Sequence, residues 1–331
     1  MSTSPRIDRP FTGIASFLRS AVCTDRGEFR GLIAVMGFPF DEGSPFMPGT
    51  RFGPRGIREH SLRFGAGYFH PETGREYLVP ECTQALIVDA GDVDVAPTNV
   101  EQTFADATAM ARSLFERAPL LVVLGGDHSI SDPIVRAIGE DVHIVHFDAH
   151  LDFEPIAQGL SHTNAHAFRH IRRMPHVKSL TQIGIRSIRH SRAVYEDAVA
   201  SGNTIVTMGE FRTGGLAKLF ERVPAGARCY VSIDIDVLDM TLIPGCVSGE
   251  PDGMSFAQLR DALKEVAERY DVLGFDIVEA NPSLDVATGA TSYLAAHFVV
   301  EFMGQICDQP RWAAKREKWL AAHRSGAARK E

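Results

Sequence analysis

Short apolar, β-branched runs recur along the chain at residues 32–37, 85–89, 120–124, 142–147, 180–185, 204–208, 229–235 and 272–278. Each has the length of one strand and the continuous hydrophobicity of a strand buried on both faces. Between them, residues 100–118, 255–269 and 290–306 carry apolar side chains at helical spacing. This alternation predicts right-handed βαβ crossovers and an α/β fold with a mainly parallel sheet covered by helices. No linker rich in Pro, Gly or Ser, no repeat and no low-complexity block interrupts residues 30–306. A single domain over residues 31–308 is therefore expected, between an N-terminal extension (1–30) and a basic helical tail (309–331). The tail carries both tryptophans, Trp312 and Trp319, one heptad apart and so on one helical face. That face is expected to pack on its own domain or on a neighbouring subunit.

Open parallel sheets gather their ligand sites at the carboxyl ends of the strands. Three runs end in acidic and histidine residues there. LVVLGGDHS brings Asp127 and His128; IVHFDAHLDF brings Asp148, His150 and Asp152 at alternate positions; VSIDIDVLD brings Asp234 and Asp236, also alternating. Alternate residues of an extended chain point to one side. Singly, such carboxylates cap helices or form Asx turns, and Asp127 and Asp239 read best that way. As a set they would crowd: two carboxylates about 4 Å apart repel by roughly 4 kcal/mol at an effective dielectric of 20. A cation relieves this. Mixed Asp and His donors without cysteine suit manganese, nickel, iron or zinc, and six donors suit two ions better than one, because carboxylates can bridge. Such a pair would lower the pKa of a bridging water to about 7.

The bulk properties narrow the rest. Of 331 residues, 44% are hydrophobic, enough for a sizeable core, and the formal net charge of −8 provides no field for nucleic acid or an anionic membrane. No apolar run reaches the roughly 20 residues of a membrane span and no signal peptide is evident, so a cytoplasmic protein is expected. The five cysteines lack any C-x-x-C spacing, which speaks for a reduced compartment and against a zinc knuckle.

With these residues in view, the chain resembles the ureohydrolase family, which includes arginase, agmatinase and related guanidino-compound hydrolases. The similarity runs from FPFDEGSPFMPGTRFGPRGIRE (38–59) through GGDHS, FDAHLD, QIGIRS and SIDIDVLD to DIVEANPSLD (276–285). It implies a three-layer α/β/α sandwich, usually assembled as a homo-oligomeric trimer or hexamer. It further implies that His128, Asp148, Asp152 and Asp234 hold one metal and Asp148, His150, Asp234 and Asp236 the other. Manganese is the usual ion and nickel the alternative. By the same resemblance Asp152 orients the attacking hydroxide and Glu279 binds the guanidinium. His162 donates the proton to the leaving amine and so faces the substrate. The segment LSHTNAHAF departs from the family's usual His-Gly-Thr or His-Gly-Asn pattern, and His166, expected just after an Asn164 N-cap, is the alternative donor.

The substrate is read from two departures. Glu154 stands where arginase receives an α-carboxylate with a neutral side chain, which favours a cationic or uncharged tail: agmatine first, with guanidine or a biguanide as alternatives, while arginine and the guanidino acids, still an alternative, fall in rank. In the loop IPGCVSGEPDGMS, Cys246 and Ser248 replace threonines common in the family. Ser248 is a candidate substrate contact; Cys246 either packs or lines the site. Two further readings stay open: a non-catalytic partner subunit of a mixed oligomer, and the related deacetylase branch of the same fold.

Overall fold

The computed structural model describes residues 9–327. In chain order its strands are β1 (Ala21–Val22), β2 (Ile33–Phe38), β3 (Tyr68–His70), β4 (Arg75–Tyr77), β5 (Ile87–Asp92), β6 (Leu120–Gly125), β7 (Val142–Phe147), β8 (Val177–Ile185), β9 (Thr204–Thr207), β10 (Arg228–Asp234) and β11 (Asp271–Val278). Nine form one sheet in the order β1-β5-β2-β6-β11-β10-β7-β8-β9, with every pairing parallel, while β3 and β4 make a separate antiparallel hairpin. All eight predicted runs are strands, shifted by three residues at most at either end.

Alternate side chains of each central strand feed two separate cores. Val122, Val231, Ile233 and Ile277 pack toward the helices Phe256–Arg269 and Ala290–Cys307. On the other face Leu121, Val123, Ile144 and Tyr230 meet Val100–Phe115, Ser131–Arg136 and Ala167–Arg172. The result is the expected three-layer α/β/α sandwich. Two of these helices begin at side-chain caps: Asn99 accepts from the Gln102 amide at 3.1 Å, and Ser255 with Gln258 closes a capping box.

The chain ends are drawn further into the fold than expected. Part of the predicted N-terminal extension joins the domain: Phe17 is fully buried and its amide donates to Asp89 (2.9 Å), while β1 pairs with β5 at the sheet edge. The predicted tail is the helix Pro310–Ala327, packed on its own domain. Trp312 is 1% exposed, its Nε1 donates to the Glu81 carboxylate at 3.1 Å, and Arg316 pairs with the same carboxylate at 3.0 Å. Trp312→Ala should therefore cost about 3–5 kcal/mol of stability, read as a lowered denaturation midpoint with metal content unchanged; an unchanged midpoint would contradict this packing. Among the described residues no helix is long and apolar enough to cross a membrane.

Candidate metal centre

In chain order β6 and β7 are consecutive, yet β10 and β11 lie between them in the sheet. The carboxyl ends of these four neighbouring strands therefore meet at the sheet centre, where His128, Asp148, Asp234 and Glu279 leave β6, β7, β10 and β11. Gly126 permits the sharp exit from β6, since an added Cβ would lie 1.8 Å from the Phe40 carbonyl oxygen. Two departing residues are held in left-handed backbone, Asp152 (φ 46) and Glu279 (φ 64). Such strain in non-glycine residues persists only where surrounding contacts enforce it.

The six predicted ligands are brought together. Nδ1 of His128 lies 3.0 Å from Asp152 Oδ2 and 3.1 Å from Oδ2 of both Asp148 and Asp234. Nδ1 of His150 lies 2.9 Å from Asp236 Oδ2 and 3.3 Å from Asp148 Oδ1. Asp148 thus touches both histidines. Arg186, from the QIGIRS segment, stiffens this arrangement by donating to the carbonyls of Asp236 (2.8 Å), Leu238 (3.0 Å) and Glu250 (3.0 Å).

One layer below, a polar row crosses the apolar sheet in register: Gln182, His146, Ser232 and Asp276. Ser232 Oγ donates to Asp276 at 2.6 Å and lies 2.9 Å from His128 Nε2; Ser131 and Tyr230 each donate to Asp276 at 2.8 Å. With its proton committed to Asp276, Ser232 accepts from His128 Nε2–H, which leaves the Nδ1 lone pair facing three carboxylates. Without a proton or cation there, that arrangement is repulsive, so the donor set fits a divalent ion. His146 was missed in the sequence, although it continues the alternation of Asp148, His150 and Asp152; its Nε2 lies 2.8 Å from Asp148 Oδ2.

The electrostatics carry the same message. Burial, then the charges of Asp236 and Asp148, push the Asp234 carboxyl well above its usual range. Burial and the Asp148 charge raise Asp152 to about 6. Burial and the Asp127 charge raise Glu279 to about 8. Burial alone would lower His150, yet the carboxylates of Asp236 and Asp148 lift it to about 12. Metal ions would take over the role of those protons. A measurable sign follows for the metal-free protein. Asp152 and Glu279 rise above their ordinary values of 3.8 and 4.5, so the folded state holds protons that the unfolded state releases. Their stabilising contribution is complete below about pH 4 and is lost as pH rises through 6 and 8. Chelated protein should melt higher at pH 6 than at pH 8, and added Mn2+ should reduce that difference; equal melting temperatures after chelation would contradict it.

Beside the cluster lies a cavity of about 210 Å³, lined by His150, Asp152, Asp234, Asp236 and Glu279 at its base and by Glu154, Asn164, Arg189, His190 and Ser248 further out. Phe46 and Met47 of the 41–49 loop form part of its wall. Glu279 is 2% exposed, and its Oε1 accepts from the His128 amide (2.9 Å) and from Asn164 Nδ2 (3.3 Å).

Three side chains lie differently from the placement expected. His162 does not line this cavity; its ring packs edge-on against Phe104 and stacks on His170 at 5.2 Å. His166 is buried with Nδ1 2.6 Å from Thr163 Oγ1, so it is not in the cavity either. Asn164 is no N-cap: Thr163 occupies that position and the Asn164 side chain turns to Glu279, because Gly43 O holds the Asn164 amide at 3.0 Å. Cys246 packs against the core near Asp234 and Asp236, and burial with their charges pushes its thiol well up. Asp127 caps the turn His128–Ile130 by accepting from the Ser129 amide at 2.9 Å. Arg189 and His190, also missed, carried no signal in the sequence beyond lying just after QIGIRS.

Comparison with known proteins agrees with this geometry. The model of the arginase family matches residues 32–304. Mitochondrial arginase 1 of Arabidopsis thaliana is 32% identical over 85% of this chain and 82% of its own. Proclavaminate amidinohydrolase of Streptomyces clavuligerus is 32% identical over 82% of this chain and 87% of its own; its solved structure superposes with a TM-score of 0.80, covering 90% of this chain and 98% of that one. Formimidoylglutamase of Bacillus subtilis gives a TM-score of 0.78 at 28% identity, covering 94% and 96% of the two chains. The chain therefore belongs to the arginase family, hydrolases that act on guanidino compounds.

Proposed function

We propose that this chain is a two-metal hydrolase that releases urea and an amine from a guanidino compound with a cationic or uncharged tail, agmatine being the model substrate. The observation that carries this reading is the close-packed set of four aspartates and two histidines beside a cavity that Glu279 also lines. His128, Asp148, Asp152 and Asp234 would hold one ion and Asp148, His150, Asp234 and Asp236 the other, with manganese or nickel as candidates. When bound, the ions would acidify a water so that a nucleophile exists near neutral pH.

The remaining work falls to side chains. Glu279 receives the guanidinium by charge-assisted hydrogen bonds and fixes its carbon over the centre. Asp152 takes the proton of the attacking water as the C–O bond forms, and returns it to the nitrogen as the C–N bond breaks. This reading gives the transfer to Asp152 because Asp152 lines the cavity, whereas the His162 ring packs against Phe104 and His170.

Tail selection rests on the outer wall. The Arg189 guanidinium is answered by Glu250 at 2.9 Å, and its Nη2 donates to Ser248 O at 3.1 Å. Among the described residues no cation pairs with the Glu154 carboxylate, which leaves that wall favourable to a positive or neutral tail. The test is urea release from a panel of guanidino compounds, with Mn2+ and Ni2+ supplied separately, for the wild type and Glu154→Gln. Agmatine should outperform arginine and guanidino acids in the wild type. Glu154→Gln should narrow the preference by about tenfold, or 1.4 kcal/mol. A wild type that prefers a guanidino acid, or a variant with unchanged preference, would overturn the tail assignment. Absence of urea from every compound would overturn the reaction.

A further inference from the structure

We infer that Asp132, His162 and His170 form a binding site for one further divalent cation, outside the catalytic cluster. One ligand atom from each of the three lies within 4.8 Å of the other two. Asp132 sits in the helix Ser131–Arg136, only 2% exposed; its Oδ1 accepts from Arg136 at 2.6 Å, whereas its Oδ2 is buried with no hydrogen-bond partner. His162 Nδ1 is likewise buried and unpartnered. Two such atoms in one place are costly, because each has given up water without replacement. His170 in the helix Ala167–Arg172 supplies the third donor. Its Nε2 lies 2.6 Å from the Ser161 carbonyl, which can only accept, so Nε2 carries the hydrogen and Nδ1 the free lone pair. An imidazole whose second nitrogen donates to a carbonyl is the usual form of a metal-bound histidine.

Two neutral imidazoles and one carboxylate suit a borderline ion such as zinc or nickel, with a remaining position for water. Burial and the neighbouring His170 hold the His162 imidazole below its ordinary pKa, which favours the neutral ligand form. His162 belongs to residues 154–165, three of which (Glu154, Asn164 and Ala165) line the substrate cavity, while Asp132 and His170 come from the helices Ser131–Arg136 and Ala167–Arg172. A cation here would tie that segment to the helix that follows His128, and so brace the outer wall without touching substrate.

The test is metal stoichiometry. Manganese-loaded wild type, Asp132→Asn, His162→Ala and His170→Ala are dialysed to equilibrium against micromolar Zn2+, and total manganese plus zinc per chain is measured. The wild type should hold one equivalent more than each variant, with a zinc-edge anomalous peak among the three side chains. Reading the difference keeps this test separate from the number of ions in the main cluster. Asp132→Asn preserves shape, so a folding defect in one histidine variant leaves the comparison intact. Equal metal content in the wild type and all three variants would overturn the site. So would loss of turnover in His162→Ala without loss of metal, which would return His162 to the cavity as a proton donor.

Discussion

Asp148→Ala is expected to lose bound metal and urea release together, with activity falling more than about a thousandfold, or some 4 kcal/mol of transition-state stabilisation. Asp148 is fully buried; its Oδ2 faces His128 and His146 while its Oδ1 faces His150, so it is the carboxylate shared by both halves of the cluster. Removing it would strip a donor from each ion and leave His128, His146 and His150 without their common counter-charge. Asp148→Asn, of the same shape, should show the same loss with the fold preserved, as judged by circular dichroism. Asp127→Ala should be milder, since Asp127 acts by capping the turn that carries His128. Retention of metal at both positions in Asp148→Asn would show that the shared carboxylate is misassigned.

The second large effect is expected at Glu279. Glu279→Gln keeps an acceptor for the His128 amide but removes the charge opposite a substrate guanidinium. Loss of one partner from a buried charged pair costs about 3–5 kcal/mol, so kcat/KM should fall by roughly a hundredfold to several thousandfold while metal content stays at the wild-type level. A variant with near-normal kcat/KM would remove Glu279 from substrate binding. One that also lost metal would instead assign it to the metal cluster.

Much of this was legible in the chain because two periodicities carry it. Continuous apolar runs marked the eight longest strands of the sheet, and the recurrence of Asp148, His150 and Asp152 marked the site, although the expected extended backbone is not what gathers them: the chain bends at residues 149–150, Asp152 is left-handed (φ 46) and Asp236 lies in the turn Ile235–Val237. What stayed hidden depends on contacts distant in sequence. β1 has only two residues and becomes a strand through pairing with β5. The insertion of β10 and β11 between β6 and β7, which assembles the cluster, is a property of topology and leaves no local mark. Around His162 the local pattern misled. The direction of each side chain there is set by Gly43 O holding the Asn164 amide and by the rings of Phe104 and His170, which lie far apart in the chain. Asp276 and Ser232 read as ordinary strand residues, yet they set the tautomer of His128.

The central claim, that His128, Asp148, His150, Asp152, Asp234 and Asp236 together hold two ions, is tested most directly by an anomalous-difference map of crystals grown with Mn2+. Two peaks should flank Asp148 and Asp234, one beside His128 and Asp152 and the other beside His150 and Asp236. A single peak within this cluster, or none, in protein that releases urea at its full rate would contradict the account.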